Sequence, residues 1–230
     1  STRTPTLFPY TTLFRSQGFE GSFHDITAHK YFEGEQLQMV CCATFDELFR
    51  EMKADPTLIG LAAIENTIAG SLLHNYELLR NSGVTVVGEH KTHISHCLCC
   101  LPSQNIEDIK EVHSHPVALM QCRNYLSQHA VMKLVEDDDT AGSARRIAEE
   151  GIEGAAAICH ADAAALYGMK VLENNIEDNK HNFTRFLVLS DPRKADMLRA
   201  INQTDKASLV FSLPHEEGSL SQVLSILSFY

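Results

Sequence analysis

Hydroxyl, amide and glycine residues gather in four short clusters, each where an apolar run of the sequence gives way to a helical pattern. The clusters are Gly21-Ser22-Phe23, Glu65-Asn66-Thr67-Ile68-Ala69-Gly70-Ser71, Ser114-His115-Pro116 and Asp139-Thr140-Ala141-Gly142-Ser143. A helix N-terminus offers unpaired backbone N–H groups and the positive end of its dipole to an anion. One such cluster is more typical of a helix cap. Four of them favour a small-anion site along one edge of a sheet.

A fifth cluster places a hydroxyl beside a guanidinium inside an apolar run. It reads Asn182-Phe183-Thr184-Arg185-Phe186. An unpaired guanidinium within a buried strand is costly. Arg185 therefore either binds an anionic ligand or forms a buried structural ion pair, and the residues alone leave both possibilities open.

Histidines and cysteines also crowd one stretch, which contains His93, His96, Cys97, Cys99 and Cys100. Within it, Cys97-x-x-Cys100 has the spacing of a metal-ligand pair. The stretch has a strand pattern, and residues three apart on a strand point to opposite faces. No second pair with zinc-site spacing follows. We therefore expect no metal. His113 and His115 share a strand face, but a turn or ligand-binding role is favoured for His115.

Short apolar runs alternate with helical patterns from Gln17 onward, which is typical of a parallel α/β sheet. Strands are predicted over residues 56–64, 84–87, 112–115, 131–135, 155–159 and 183–189. Helices are predicted before Gly83, from Pro116 through Tyr125, and over residues 140–150 and 161–167. Thr44 and Glu47 predict a capping box.

The overall composition is that of a globular protein. The 230 residues are 44% hydrophobic and 21% charged, and the net charge of −11 disfavours nucleic acid and anionic membranes as partners. The sequence has neither a membrane-spanning apolar run nor a signal-peptide pattern. Seven cysteines, an odd number, predict reduced thiols and a cytoplasmic location.

The two ends differ from the rest of the sequence. Residues 1–16, which include TLFPYTTLFRS, resemble the translation of a DNA-sequencing adapter and are predicted to be non-biological. On that interpretation the strand that should precede Gln17 is missing, and residues 11–14 could imitate it only by chance. Residues 191–206 read as a linker or connecting helix, and residues 207–230 as one strand and one helix.

Taken in order and spacing, these blocks resemble the prephenate dehydratases over residues 17–230. Thr184 and Arg185 match the family's Thr-Arg-Phe motif, which implies a catalytic hydroxyl and a ligand for a substrate anion. Asn66 and Thr67 match a Glu-Asn-Ser block, with Thr67 where serine is usual. Residues 114–122 match a Ser-His-Pro-x-Ala-Leu-x-Gln-Cys block, and residues 140–141 match a Thr-Ala block. The next residue, Gly142, opens a segment in which the family is usually richer in alanine.

The clusters and the resemblance together give a candidate site. The predicted catalytic residues are Thr184, Arg185, Asn66, Ser114 and Gln121. The predicted substrate-binding residues are Gly21, Ser22, Thr67, Gly70, Ser71, His115, Thr140, Ala141, Asn182 and Phe186.

The resemblance also implies a fold of two α/β lobes around a cleft, similar to periplasmic binding proteins. Within a catalytic domain of residues 17–190, lobe one would comprise residues 17–93 and 171–190, and lobe two residues 94–170. Residues 207–230 resemble the start of an α+β ACT domain, with Gly218, Ser219 and Leu220 as effector-binding residues for L-phenylalanine. The complete protein would be a homo-oligomer.

The implied reaction converts prephenate to phenylpyruvate, CO2 and water without a cofactor. Two alternatives remain open at this point. Arogenate dehydratases use the same fold and motif on a substrate that carries an amino group. A non-catalytic protein of the same architecture would bind a small anion without converting it.

Overall fold

A computed structural model describes residues 12–199, 206–209 and 211–229 of the chain. Its strands are β1 (Thr12–Gln17), β2 (Leu37–Cys42), β3 (Ile59–Asn66), β4 (Gly70–Ser71), β5 (Thr85–His93), β6 (Cys97–Cys100), β7 (Glu111–Ser114), β8 (Lys133–Glu136), β9 (Ala155–Cys159), β10 (Lys170–Glu173) and β11 (Phe183–Ser190). Its helices are α1 (Phe23–Tyr31), α2 (Phe45–Ala54), α3 (Leu73–Ser82), α4 (Pro116–Gln121), α5 (Arg123–Ser127), α6 (Thr140–Glu150), α7 (Ala161–Leu166), α8 (Pro192–Arg199) and α9 (Ser219–Leu227), and a 3-10 turn spans Ile106–Asp108. The predicted α/β class and two-lobe division are confirmed.

Lobe one is built on a sheet of order β2-β1-β3-β11-β5, with β4 paired to β3. Strand β1 is parallel to β2 and β3, whereas β11 is antiparallel to β3 and β5. The parallel pairing that the sequence pattern indicates therefore does not extend to β11 and its two neighbours. Phe183 on β11 lies opposite His93 on β5. The chain leaves lobe one along β5 and returns along β11, so these neighbours must run in opposite directions.

Lobe two is built on a sheet of order β10-β6-β9-β7-β8. Strands β7, β8 and β9 are parallel, while β6 is antiparallel to β9 and β10. Apolar side chains pack on both faces, with Leu98, Val112 and Ile158 on one and Ile147 and Ala157 on the other. Burial on both faces explains the nearly continuous apolar character of these strands.

Several helix ends follow from their capping residues. Asp139 accepts a hydrogen bond from the N–H of Gly142 at 2.7 Å and begins α6, and Gly151 ends it with φ 62°. Thr44 accepts from the N–H of Glu47 at 3.1 Å, as predicted for α2. The Glu47 carboxylate accepts from the N–H of Ala43 at 2.7 Å, one residue before the cap.

The return of the chain to lobe one comes later than predicted. Strand β10 lies in the sheet of lobe two, where Lys170 and Val171 pair with Cys100 and Cys99. The proposed return near residue 171 is therefore wrong, because this strand satisfies its backbone hydrogen bonds on the free edge of β6. The first strand back in lobe one is β11.

A strand occupies the position that was expected to be empty. Residues Thr12–Gln17 form β1 between β2 and β3, and Phe14 is fully buried with its ring edge-on to Phe32 at 5.5 Å. The expectation that lobe one lacks this strand is therefore wrong. An aromatic side chain at the inward-facing position supplies the packing that a central strand needs. The adapter origin of residues 1–16 stays a prediction, and residues 1–11 lie outside the described part of the chain.

The C-terminal segment forms its helix but not its strand. Helix α9 is present, whereas residues 206–209 and 211–217 have no strand structure. Leu209 and Phe211 are exposed. A strand is stable only where a neighbour takes up its backbone hydrogen bonds, and no described residues pair with this segment. Within the described residues, no helix is long and apolar enough to cross a membrane.

Candidate active site

A cavity of about 310 Å³ lies between the two lobes and is lined by residues from both. Its polar lining consists of amide, hydroxyl, imidazole and carboxylate groups. The lining residues are Gln17, Ser22, Phe23, His24, Phe45, Ala63, Asn66, Ala69, Leu72, Ile94, His96, His115, Val117, Ala118, Gln121, Asp138, Asp139, Thr140, Thr184 and Phe186. The cavity therefore brings together many of the predicted residues from positions far apart in the sequence.

Asn66 and Thr184 form the centre of this cavity's hydrogen-bond network. They are directly opposite each other on β3 and β11. Oδ1 of Asn66 accepts from the backbone N–H groups of Ile68 and Ala69, both at 2.9 Å. A backbone N–H can only donate, so the other amide atom of Asn66 must be the nitrogen. That Nδ2 donates to Oγ1 of Thr184 at 2.9 Å.

The same reasoning extends the network into lobe two. Asn66 also donates to Oδ1 of Asn182 at 2.8 Å, and Nδ2 of Asn182 donates to Oε1 of Gln121 at 3.0 Å. Oε1 of Gln121 is also 3.1 Å from Nε2 of His96. Because Oε1 can only accept, Nε2 of His96 carries the proton. Asn182 is fully buried and bridges the lobes without lining the cavity.

Two buried histidines of the cavity are held neutral. Burial lowers the pKa of His96, and Nδ1 of His96 has no hydrogen-bond partner among the described residues. Burial also lowers the pKa of His24 to about 4. Nε2 of His24 accepts from the N–H of Ala63 at 3.4 Å, so the ring proton is on Nδ1.

Three helix N-termini face the cavity through their capping residues. Ser22 caps α1, His115 caps α4, and Asp139 caps α6, which begins at Thr140. The first N–H groups of a helix have no partner within it, and the dipole adds partial positive charge there. Burial raises the pKa of the Asp139 carboxyl. The N-termini of α1 and α6 thus offer N–H donors, one helix from each lobe, whereas in α4 Pro116 has no N–H and Val117 donates to Nδ1 of His115.

Arg185 does not share the cleft with Thr184. Its Nε and Nη2 lie 2.8 and 2.7 Å from Oε2 of Glu89 on the neighbouring strand β5. It lines a different cavity, with Glu65 and Lys91. Adjacent residues on a strand point to opposite faces. In this structure Arg185 therefore forms an ion pair with Glu89, and its role as an anion ligand stays a prediction.

Six other predicted residues do not line the cleft. Thr67 donates to the carbonyl of His181 at 3.1 Å and accepts from the N–H of Phe183 at 3.0 Å. The hydroxyl of Ser114 donates to the carbonyl of Ile158 at 2.6 Å. The other four are Gly21, Gly70, Ser71 and Ala141. Thr67 and Ser114 therefore use their hydroxyls to hold the surrounding backbone.

The predicted effector residues lie at the start of α9, well separated in sequence from the cleft. Gly218 precedes the helix with φ 83°, and Ser219 and Leu220 begin it. None of the described residues of α9 is buried.

Several cleft residues were not identified from the sequence. They are Gln17, His24, Phe45, His96 and Asp138. His24 follows the Gly21-Ser22-Phe23 cluster directly, and Asp138 precedes Asp139, so extending each cluster by one residue would have found both. His96 was considered only as a metal ligand. Nothing in the sequence near Phe45 indicates that it reaches the cleft.

Comparisons with known proteins identify the family of this chain. The family model described as prephenate dehydratase matches residues 15–194. Arogenate dehydratase/prephenate dehydratase 2, chloroplastic, from Arabidopsis thaliana is 35% identical over 92% of this chain and 54% of its own length. The chain thus spans about half the length of the plant relatives that it matches.

Solved structures show the same fold. The prephenate dehydratase from Staphylococcus aureus matches with a TM-score of 0.73 and 27% identity, over 94% of this chain and 79% of that one. The prephenate dehydratase from Arthrobacter aurescens, solved with L-Phe, has a TM-score of 0.75 at 22% identity, over 94% and 72%, and supports the fold alone. With the family model covering most of its length, this chain belongs to the prephenate dehydratase family.

Proposed function

We propose that this chain catalyses the decarboxylative dehydration of prephenate to phenylpyruvate, with the hydroxyl of Thr184 as hydrogen-bond donor to the departing ring oxygen. The observation that carries the proposal is the orientation of Asn66. Because Asn66 donates to Oγ1 of Thr184, the hydroxyl hydrogen of Thr184 is left for another acceptor. Thr184 is 8% exposed and lines the cleft, so that acceptor can be a bound substrate.

The reaction needs little more than correct positioning of the substrate and one hydrogen-bond donor to the departing oxygen. The bond between the ring and its carboxylate breaks, and its electron pair enters the ring as CO2 leaves. The bond between the ring and its hydroxyl breaks in turn, the departing oxygen takes up a proton as water, and the ring becomes aromatic. Negative charge develops on that oxygen, where a preorganised donor in a water-poor cleft is most effective.

The hydrogen bond from Asn66 makes the hydroxyl of Thr184 a stronger hydrogen-bond donor. A hydroxyl that accepts a hydrogen bond is polarised and donates a stronger one in turn. Threonine is too weak an acid to ionise near neutral pH, so Thr184 donates a hydrogen bond or relays a proton. The carboxylates of the substrate would be bound by the N-termini of α1 and α6, near Ser22 and Thr140.

A second candidate is arogenate dehydratase, and the charge of the cleft favours it. Asp138 and Asp139 line the cavity, and no lysine or arginine does so among the described residues. Arogenate carries an ammonium group where prephenate carries a keto group, so a neighbouring carboxylate would attract arogenate more than the prephenate dianion.

Turnover of both substrates by the purified chain and by Asp138→Asn tests these proposals together. We expect conversion of prephenate to phenylpyruvate. If Asp138 contacts the ammonium group, Asp138→Asn lowers kcat/KM for arogenate and raises it for prephenate. Saturable binding of prephenate with no conversion of either compound would instead support a non-catalytic binding protein.

Three further proposals concern regulation, assembly and location. The resemblance of residues 207–230 to an ACT domain supports control of the complete protein by L-phenylalanine through Gly218, Ser219 and Leu220. The same resemblance supports a homo-oligomer. All seven cysteines are free in the structure, which supports a reducing, cytoplasmic location.

A further inference from the structure

Three cysteine side chains meet on one face of the sheet in lobe two. Cys97 and Cys99 are two residues apart on β6, so they point to the same face. Cys159 lies directly opposite Cys97 on the antiparallel strand β9. The three Sγ atoms all lie within 4.8 Å of one another, and those of Cys99 and Cys159 are 3.5 Å apart. Cys100 packs on the opposite face from Cys97, as the strand pattern predicts. The cysteines beside Cys97 are instead Cys99 and Cys159.

The surroundings of this group supply sulfur and hydrocarbon. The thioether of Met169 lies 3.8 Å from Sγ of Cys99. Each of the three cysteines is at most 1% exposed, and alanine and isoleucine side chains of α6 and α7 cover them. Among the described residues, no histidine or carboxylate joins the three sulfurs as a possible ligand.

We propose that Cys97, Cys99 and Cys159 form a binding site for a single Cu(I) ion, with the thioether of Met169 beside it. All-sulfur ligand sets select soft ions such as Cu(I). Zinc almost always takes four ligands in structural sites, and this group offers three thiols and no exposure to water. Metal–sulfur bonds of about 2.3 Å would place three sulfurs roughly 4 Å apart around one ion. The distances between the three Sγ atoms fit that spacing.

The charge balance also suits a monovalent ion. Cu(I) would bind as one of the three thiols releases its proton, so that one sulfur becomes a thiolate ligand and the other sulfurs stay neutral ligands. One positive charge enters as another leaves, no electron is transferred, and the buried net charge is unchanged. This avoids the large penalty for adding charge to an apolar interior. Cys97 is adjacent to His96, which lines the cleft, so the group lies just behind the cavity wall.

Anaerobic titration of the reduced full chain with Cu(I), against a chromophoric Cu(I) chelator, tests the proposal. We expect one ion per chain, and X-ray absorption of the loaded protein should show only sulfur neighbours at about 2.3 Å. Cys99→Ser and Cys159→Ser should each weaken binding at least about tenfold. Met169→Leu, which conserves volume, should weaken it less. The matched control is Cys122→Ser, since Cys122 is equally buried in lobe two but outside the group.

Several results would overturn the proposal. They are failure of the unmodified chain to compete with the chelator, nitrogen or oxygen neighbours in the absorption spectrum, and Zn(II) binding with higher affinity than Cu(I). A disulfide between Cys99 and Cys159 in the freshly purified chain would equally overturn it. The titration of the unmodified chain stands even if a serine variant does not fold. A folded Cys99→Ser with unchanged affinity would show that the three sulfurs are core packing, as buried cysteines commonly are.

Discussion

The side-chain amide of Asn66 donates a hydrogen bond to Oγ1 of Thr184 at 2.9 Å, across the neighbouring strands β3 and β11. The direction of this bond follows from two backbone N–H groups that fix the other end of the amide. It leaves Thr184 as a hydroxyl that accepts from the protein and can donate into the cleft. The proposed chemistry depends on that polarity.

Reversing the direction of the hydrogen bond between Asn66 and Thr184 should lower turnover more than removing the Asn66 amide. In Asn66→Asp, a carboxylate oxygen would replace the donor, and Thr184 would give its hydrogen to that oxygen instead of the substrate. Asn66→Ala leaves the hydroxyl free. We expect kcat to fall at least about tenfold further in Asn66→Asp than in Asn66→Ala, about 1.4 kcal/mol in the barrier. Equal or higher activity in Asn66→Asp would argue against a donating Thr184.

The bridge between the lobes should contribute to stability. Gln121 accepts from Asn182 and His96, so Gln121→Leu leaves two buried donors without an acceptor, at a cost of about 1–3 kcal/mol each. Gln104→Leu is the matched control. Gln104 is also 7% exposed, but its Oε1 accepts no hydrogen bond from the described residues. Urea unfolding should show a large loss for Gln121→Leu and little for Gln104→Leu, and the reverse order would contradict this account of the network.

Arg185 should matter little for binding of the substrate. Because it pairs with Glu89 on the face away from Thr184, Arg185→Lys keeps a cation there and should leave KM for prephenate within about threefold of the unmodified value. Lysine lacks the planar guanidinium that binds Glu89 through two nitrogens, so we expect a modest loss of stability. A large rise in KM with the fold intact would return Arg185 to the anion-binding role suggested by its motif.

His24 should make stability depend on pH. Its pKa falls from 6.5 to about 4 on folding. Between these values the unfolded chain binds a proton that the folded chain does not, so stability decreases as pH falls through this window, by up to about 3 kcal/mol. His24→Leu removes the titrating group. The free energy of unfolding of the unmodified chain minus that of His24→Leu, measured by urea at several pH values, should decrease by up to about 3 kcal/mol from pH 7 to pH 4. A difference that stays constant with pH would exclude this effect.

Local signals in the sequence predicted much of the fold. Helix α6 and strand β9 begin and end at the predicted residues, because a capping aspartate, a C-terminal glycine and a short apolar run act on their own neighbours. Strand β10 was missed, since its place depends on the free edge of β6, about 70 residues earlier in the chain. The segment after Lys206 has a strand pattern, but no strand among the described residues lies beside it to pair with it.

The site was predictable as a set of residues and not as a network. Polar clusters identified Thr140 at a helix start, Asn66 at the end of an apolar run, and Thr184 beside an arginine within an apolar run. The bond from Asn182 to Gln121 spans 61 positions, and no local pattern reports it. The position of Arg185 was predictable, because adjacent residues on a strand point to opposite faces and Arg185 directly follows Thr184.

The most direct test of the central claim is the rate of phenylpyruvate formation by Thr184→Ala and Thr184→Ser, each with its fold verified by circular dichroism. The serine keeps a hydroxyl within reach of Asn66 and should retain activity within about tenfold. The alanine removes the donor and should lower kcat by at least about a hundredfold, a loss of order 3 kcal/mol in the barrier. Near-normal turnover by a folded Thr184→Ala protein would contradict the proposed role of the threonine hydroxyl.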